Sequence, residues 1–149
     1  MRDAFGGTFL MYMIITFVVI FVTFMAETLK YVQAYRTKNA IINYIEEYEG
    51  FNQEALAEIE GDNGGYMSRA GYHSDVRCND GSNIPRNQGD IYCSGYGYRV
   101  EMKYKDDKQA YYKVTTYISL DFTKILFMRN PLKIDVSGET RFVTLDGTY

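Results

Sequence analysis

Residues 8–26 read TFLMYMIITFVVIFVTFMA, a run of 19 residues without a charged side chain. As an α-helix this run spans about 28 Å, close to the roughly 30 Å hydrocarbon core of a bilayer. Eleven of its residues are Leu, Ile, Phe or Val, and each of these favours insertion by about 0.3–0.6 kcal/mol near the bilayer centre. A lone strand in lipid would leave its backbone polar groups unpaired. The run therefore predicts a transmembrane helix.

Two other interpretations of this run are weaker. A buried core helix needs a core that surrounds it, and a chain of 149 residues is too small to provide one. A cleaved secretory signal has an apolar core of about 7–15 residues followed by a small-residue cleavage site. This run is longer and continues as MAETLK over residues 25–30. We therefore expect it to stay in the membrane.

The helix is expected to continue beyond the apolar run, because residues 27–49 contain neither Gly nor Pro. Apolar residues recur there at spacings of three and four, which predicts an amphipathic helix that packs on a soluble domain and stops at Gly50. They fall in two rows: Leu29, Val32, Tyr35, Ile42, Ile45 and Tyr48, and Tyr31, Ala34, Ile41 and Tyr44. Together the two halves make a helix of about 42 residues, or roughly 63 Å.

The remaining residues predict a small α+β domain. Residues 51–60 predict a short helix with Asn52 as its N-cap, and residues 67–97 predict an irregular loop because they are rich in Gly, Asn, Asp and Ser. Alternation predicts strands at 98–105 and 110–122, a third around 133–136 and a fourth around 141–145. The expected fold is thus a long N-terminal helix packed on an antiparallel sheet of three to four strands. Its parts are a leader-like segment (1–7), a transmembrane half (8–26), an amphipathic half (27–50) and a head (51–149).

The composition argues against several classes of function. A net charge of -3 and a pI near 5.2 disfavour nucleic-acid binding, which needs clustered Lys and Arg. One His, two Cys and no Trp are too few for a triad or a zinc cluster, so we expect no enzyme, no metal and no cofactor. His73 is expected to be a solvated loop residue. The adjacent carboxylates of Glu46 and Glu47 point apart on a helix and form no catalytic pair.

The two cysteines, Cys78 and Cys93, fall in the predicted loop. A disulfide between them would close a 16-residue loop and stabilise it by roughly 3 kcal/mol; the alternative is a pair of free cytosolic thiols. We favour the disulfide, which places the head outside the cytoplasm. The Lys and Arg residues that flank the apolar run lean the other way, since Lys30, Arg36 and Lys38 follow it and only Arg2 precedes it.

Fifteen tyrosines form the most unusual part of the composition. Many of them alternate along the predicted strands, where sheet packing is their expected role. Tyr92, Tyr96 and Tyr98 lie next to the predicted cysteine loop. We expect these three to form an exposed aromatic contact surface.

The N-terminus resembles that of type IV pilins and pseudopilins, because MRDAFGG (residues 1–7) is a short leader that ends in Gly directly before the apolar helix. More narrowly, the chain resembles TadE-like minor pilins of tight-adherence pili. The stretches that carry this likeness are AETLKYVQAY (26–35), TTYISL (115–120), ILF (125–127) and PLKIDVSGETR (131–141). The resemblance implies cleavage between Gly7 and Thr8 by a prepilin-type peptidase, and partners that are the membrane and the N-terminal helices of other pilin subunits.

One position departs from the family pattern. Pilins carry a Glu five residues after the cut, and this chain has Tyr12 there, or Met11 if the cut follows Gly6. The expected function is therefore a minor or initiating subunit of a type IV or tight-adherence-like pilus, located in the membrane or in a cell-surface filament. The alternative is a single-pass, membrane-anchored extracytoplasmic binding domain that never polymerises.

Overall fold

Three helices and five strands make up the described part of the chain, which comprises residues 2–61, 64–74, 83–106, 109–120 and 132–144 of a computed structural model. The elements follow one another as α1 (Arg2–Glu47), α2 (Gln53–Glu60), α3 (Tyr66–Ala70), β1 (Ile91–Cys93), β2 (Tyr98–Asp106), β3 (Gln109–Leu120), β4 (Leu132–Glu139) and β5 (Val143–Thr144). The predicted α+β class, a long N-terminal helix on a small antiparallel sheet, is confirmed.

Helix α1 is one continuous helix of 46 residues, about 69 Å long. It starts at Arg2, so the leader-like segment from that residue onward is helical as well. Every residue from 6 to 22 is exposed. Residues 6–22 therefore project from the head, and no contact with the described residues buries them.

The C-terminal end of α1 is a Schellman turn. The Gly50 amide donates to the carbonyl of Ile45 at 2.8 Å, and Glu49 adopts a left-handed φ of 50°. The helix thus ends in the turn that contains Gly50, as predicted. The left-handed position of this turn is occupied by Glu49 and not by glycine, the residue that such a position favours.

Helix α2 begins at the predicted cap. The Asn52 side-chain oxygen accepts a hydrogen bond from the Ala55 amide at 2.8 Å, which satisfies one of the free N–H groups of the first turn. The Asn52 side-chain amide donates to the Tyr48 carbonyl at 3.1 Å. One side chain therefore closes α1 and opens α2.

The five strands form one antiparallel sheet. The order is β1-β2-β3-β4, and the short β5 pairs with the start of β3. Because side chains alternate along a strand, the sheet has one buried face, which includes Val100, Val114 and Ile118, and one partly exposed polar face. The sequence predicted three or four strands and missed β1, which has only three residues.

The amphipathic half of α1 lies on the buried face of the sheet. Ala34, Ile41 and Ile45 have no exposed surface, and the Thr116 hydroxyl oxygen lies 3.2 Å from the Ala34 carbonyl oxygen. On the neighbouring strand, a Cβ at Gly138 would lie 2.9 Å from Cδ1 of Ile42. The small residues Ala34 and Gly138 thus allow helix and sheet to approach closely.

The head has two poles along the axis of α1. At the distal pole, the Arg141 amide donates to the Glu46 carboxylate at 2.8 Å. At the proximal pole, nearest the apolar half of α1, the Gln33 side-chain amide donates to the Ala70 carbonyl at 3.0 Å. Strand β3 runs from the distal pole to the proximal one, since its end at Ser119 borders the same cavity as Lys30 and Gln33.

Candidate functional site: the outward face of the N-terminal helix

Helix α1 is the one helix among the described residues that is long and apolar enough to span a membrane. Its large side chains face outward, with Phe9 68% exposed and Phe17 70% exposed. Exposing apolar surface to water costs about 25 cal/mol for each Å². A surface of this kind requires lipid or other apolar helices around it.

The exposed apolar surface continues past the apolar run. Leu29 is 71% exposed, Tyr35 46% and Val32 36%. These three residues lie on one side of the helix and are called the outward face below. The sequence pattern predicted that the row of Leu29, Val32 and Tyr35 would help to cover the sheet. That part of the prediction is wrong, because these residues face away from the sheet. The prediction is confirmed for Ala34, Ile41 and Ile45 of the same two rows, which are buried. The sheet is covered by the opposite side of α1, which presents Ala34, Thr37, Lys38, Ile41 and Ile45.

Lys38 joins the outward face to the sheet. Its side chain is 93% buried and crosses the sheet at Gly138, where a Cβ would lie 3.1 Å from Nζ. The ammonium lies 4.4 Å from the centroid of the Tyr35 ring, a cation–π distance. This contact fixes the Tyr35 ring at the edge of the outward face.

The candidate cleavage residues, Gly7 and Thr8, lie inside α1. A Cβ placed on Gly6 or Gly7 would meet no atom of the described chain within 4 Å. Each glycine in a helix interior costs roughly 0.5–1 kcal/mol relative to Ala. Packing among the described residues therefore gives no reason for either glycine, and two adjacent glycines make this end of the helix easier to unfold.

The expected exposed aromatic surface is not present at two of its three positions. Tyr98 is fully buried and Tyr92 is 7% exposed, and only Tyr96 is partly exposed. The hydroxyls of Tyr92 and Tyr98 both donate to the Glu60 carboxylate, the former at 3.0 Å. Burial, and then the charge of Glu60, raises the pKa of both tyrosines above the usual value. These two hydrogen bonds hold the C-terminal end of α2 against the sheet.

The two candidate disulfide residues differ in what the structure describes. Cys93 lies at the end of β1, which pairs with β2, and Cys78 lies outside the described residues. The pairing of Cys78 with Cys93 stays a prediction. The predicted irregular loop over residues 67–97 is wrong in part, because α3 and β1 fall within it.

Within the described residues, no three His, Cys, Asp or Glu side chains come close enough together to hold a metal ion. His73 is exposed, as the sequence predicted. The half-buried Glu60 carboxylate accepts hydrogen bonds from the two buried tyrosines beside the sheet. What the arrangement offers is thus an extended apolar surface on α1, fixed in orientation by a packed head.

Comparison with family models, curated proteins and solved structures finds no match to this chain. The resemblance to pilins therefore stays a prediction, and a function has to be argued from the residues of α1 and the head.

Proposed function

We propose that this protein is a minor or initiating subunit of a type IV or tight-adherence-like pilus and that it assembles through α1. The observation that carries the proposal is the unbroken helix. One rigid element presents an exposed apolar half, then the outward face, and then the side that holds the head.

The outward face favours assembly over simple anchoring. Leu29 lies about 4.5 Å and Tyr35 about 13.5 Å beyond Ala26 along the helix axis, so the face extends out of the hydrocarbon core of a bilayer that ends near Ala26. Lipid tails cannot cover it there, whereas the helix of another subunit can. Burying one large apolar side chain of this kind stabilises by about 1.5–3 kcal/mol.

The two glycines add independent support. Since no contact within the described chain requires Gly6 or Gly7, a processing enzyme that recognises the residue before Thr8 would explain a glycine at this position. Cleavage between Gly7 and Thr8 would also remove the charged residues Arg2 and Asp3 from the helix end. An N-terminal half without charged side chains suits a filament core.

The alternative is a single-pass membrane-anchored binding domain that does not polymerise. It is favoured by Tyr12, or Met11, at the position where the resembling family carries a Glu. In filaments of the resembling family this Glu pairs with the N-terminal amino group of a neighbouring subunit, and the residue at this position of the present chain has no carboxylate to form that pair. A subunit that initiates or ends a filament tolerates this loss better than one in its body.

Assembly is tested with two exposed apolar residues at opposite ends of the head. Leu29→Gln removes the most exposed side chain of the outward face, and Phe142→Gln removes a side chain that is 53% exposed at the distal pole. We expect Leu29→Gln to lower the amount of the protein in sheared surface filaments, while its amount in the membrane and the near-UV circular dichroism of the head stay unchanged. Phe142→Gln should leave both amounts unchanged.

The same experiment separates the two candidate functions. A protein that stays in the membrane fraction, and whose deletion leaves filaments and their assembly intact on electron micrographs, is the anchored binding domain. Equal filament content for Leu29→Gln and Phe142→Gln would show that the outward face has no role in assembly.

Processing is tested with the two neighbouring glycines. Gly6→Ala and Gly7→Ala add the same methyl group at positions where it meets nothing, so their effects on the helix are matched. N-terminal sequencing and intact mass of native protein should give Thr8 as the first residue for the unchanged chain and for Gly6→Ala. Gly7→Ala should keep the leader. Native filaments that contain the leader would contradict cleavage.

A further inference from the structure

One flank of the head, where α1 packs beside β4, ends in a strand that is paired on one side. Strand β4 lies at the end of the order β1-β2-β3-β4, and within the described residues no strand pairs with its other side. A Cβ at Gly138 would lie 2.9 Å from Cδ1 of Ile42 and 3.1 Å from Nζ of Lys38, so α1 borders this strand closely. The surface that they form is called the β4 flank and consists of Tyr31, Tyr35, Lys38, Ile134 and Gly138.

Large apolar side chains of the β4 flank are only partly covered. Tyr31 is 48% exposed, Tyr35 46% and Ile134 39%. Tyr31 lies seven residues before Lys38, so these two residues share one side of α1. Ile134 lies four residues before Gly138, so these two share one face of β4. The β4 flank is therefore a partly apolar groove that runs along an edge strand.

The backbone of β4 can form further hydrogen bonds along this edge. The Thr140 amide donates to the Tyr112 carbonyl at 3.0 Å, and hydrogen-bonded residues alternate with others along an antiparallel pair. In the register of β3 with β4, the even-numbered residues of β4 therefore bond to β3. The residues whose N–H and C=O groups point away from β3 are Lys133, Asp135, Ser137 and Glu139.

Lys38 adds a positive charge to the β4 flank. Its side chain is 7% exposed, and its ammonium lies 4.4 Å from the centroid of the Tyr35 ring. In the described part of the chain, this ammonium forms neither an ion pair nor a hydrogen bond, although a lysine is almost never buried without a partner. The unpaired polar atoms that are completely enclosed belong to Glu27, Thr37 and Arg99, so the Lys38 ammonium is reachable by an anion from outside.

The chain itself does not supply that anion through its nearest segment. Residues 121–131 join Leu120 to Leu132, which pair directly, and their one acidic residue, Asp121, follows Leu120. Consecutive Cα atoms are about 3.8 Å apart, whereas Gly138 lies about 20 Å beyond Leu132 along β4. Asp121 is therefore too far away to reach the ammonium beside Gly138.

We propose that the β4 flank binds an extended segment of a partner protein, which adds a strand to β4 and places a carboxylate on Lys38. Main-chain hydrogen bonds to an edge strand provide affinity, and alternate side chains provide specificity. In an antiparallel strand, a Glu opposite Gly138 would meet the ammonium, and apolar residues two and four positions later would face Val136 and Ile134. The inference goes beyond the proposed function and depends neither on filament assembly nor on the membrane span.

A second copy of the chain fits this description less well through its own β4. The acidic residues of that strand are Asp135 and Glu139. Because side chains alternate along a strand, both lie on the face opposite to Gly138. They would therefore point away from Lys38, and the chemistry of the flank favours a partner with a carboxylate among its apolar residues.

Binding is tested with a dye-labelled synthetic peptide that contains Glu-Thr-Val-Thr-Val and with a control peptide that has Gln in place of Glu. Fluorescence anisotropy of the full chain in detergent micelles should show at least about tenfold tighter binding of the glutamate peptide, the difference expected for a hydrogen bond between charged groups. Lys38→Met keeps an unbranched apolar stem and should remove this difference. Arg36→Met is the matched control, because residues two apart do not share a helix face, and it should keep the difference.

Strand addition is tested separately at Ser137, whose N–H points away from β3. Proline removes this N–H, whereas alanine keeps it. Ser137→Pro should weaken the binding of both peptides by at least about fivefold, and Ser137→Ala should bind them as the unchanged chain does. The near-UV circular dichroism of each variant reports whether the head is folded, and the comparison of the two peptides on the unchanged chain needs no variant.

These measurements can overturn the proposal at each of its steps. Equal affinity of the unchanged chain for the two peptides, or an undiminished difference in Lys38→Met, overturns the contact with Lys38. Equal binding by Ser137→Pro and Ser137→Ala overturns strand addition. Absence of saturable binding of either peptide overturns the whole proposal, and so does a dimer of the full chain that Ser137→Pro dissociates, since a second copy would then occupy β4. Failure of the proposed pilus function would appear in filaments and leave peptide binding unchanged.

Discussion

Gly97→Ala perturbs the turn that connects β1 to β2. Gly97 has a φ of 89°, and a Cβ there would lie 2.6 Å from the Ser74 Cβ and 2.9 Å from the Ser74 carbonyl oxygen. The Gly97 carbonyl accepts a hydrogen bond from the Tyr117 amide at 3.3 Å. The Tyr72 hydroxyl oxygen lies 3.2 Å from the same carbonyl oxygen and donates its proton to the Tyr117 carbonyl at 2.7 Å. The turn therefore holds the residues after α3 against β3, and no atom in this contact is the free end of a flexible side chain.

Two separate effects determine how far Gly97→Ala lowers the free energy of unfolding. A side chain at positive φ costs about 1–2 kcal/mol, and overpacking a rigid contact costs about 1–3 kcal/mol. Gly97→Ala should therefore lower the free energy of unfolding of the head by about 2–5 kcal/mol, a large part of the roughly 5–15 kcal/mol that is usual for a domain.

Two further glycines separate these effects. Gly95 lies in the same turn with no atom within 4 Å and no positive φ, and Gly71 has a φ of 62° and likewise no neighbour within 4 Å. Gly95→Ala should change stability by less than about 0.5 kcal/mol, and Gly71→Ala should cost about 1–2 kcal/mol.

The assay is urea unfolding of the full chain in detergent micelles, followed by the near-UV circular dichroism of the tyrosines. The urea midpoint should be highest for Gly95→Ala, lower for Gly71→Ala and lowest for Gly97→Ala. A Gly97→Ala midpoint equal to that of Gly71→Ala would refute the argument that contact with Ser74 limits this turn.

Three other predictions concern pH, the end of α1 and the cysteines. Because burial and the Glu60 charge raise the pKa of Tyr98 above its usual 10.0, the contribution of this tyrosine to stability should be constant below about pH 10. Above that pH, stability should fall by about 1.4 kcal/mol per pH unit for each tyrosine that ionises only on unfolding; Tyr98→Phe should reduce that slope in urea titrations at pH 9–11. Glu49→Gly should raise the free energy of unfolding by about 0.5 kcal/mol or more, measured by urea unfolding, because it replaces a left-handed residue by glycine. Cys78→Ser should cost about 2–4 kcal/mol if Cys78 is bonded to Cys93, and alkylation of both thiols without reduction, seen by mass spectrometry, would remove the bridge.

The long helix and its neighbour could be predicted from the sequence because their signals are local. A charge-free run, the absence of Gly and Pro from residues 27–49, and Asn52 just before α2 each act within a few residues of where they stand. The strands β2 and β3 follow from alternation for the same reason. Strand β1 was missed because its three residues are too few to show a period.

The sequence did not show that Leu29 and Tyr35 face away from the sheet. The side of α1 that packs on the sheet depends on how closely helix and sheet can approach each other and not on hydrophobicity alone. A ranking by hydrophobicity favours Leu29 and Tyr35 over Ala34 as core residues. The sheet instead accepts the side with Ala34, whose small size lets the Thr116 hydroxyl reach the helix backbone. The sequence does not show this pairing, since the two residues are 82 positions apart.

The burial of the candidate tyrosines depends on a distant partner in the same way. A tyrosine can be buried when its hydroxyl finds an acceptor. For Tyr98 that acceptor is Glu60, which is 38 residues away along the chain. Local composition, rich in Gly and Asn, indicated exposure, and tertiary contact overrode it.

Because α1 is continuous, the direction in which the head points around the helix axis is fixed relative to the apolar half of the helix. Each residue of an α-helix turns the chain by about 100° and advances it by about 1.5 Å. Without a linker, the direction in which Leu29 points is locked to the direction in which each side chain of residues 8–26 points. One residue inserted after Ala26 would swing the head by more than a quarter of a circle, whereas seven would return it to within about 20° of its original direction. The helix therefore transmits twist as well as distance, and any rotation of its apolar half would turn the head with it.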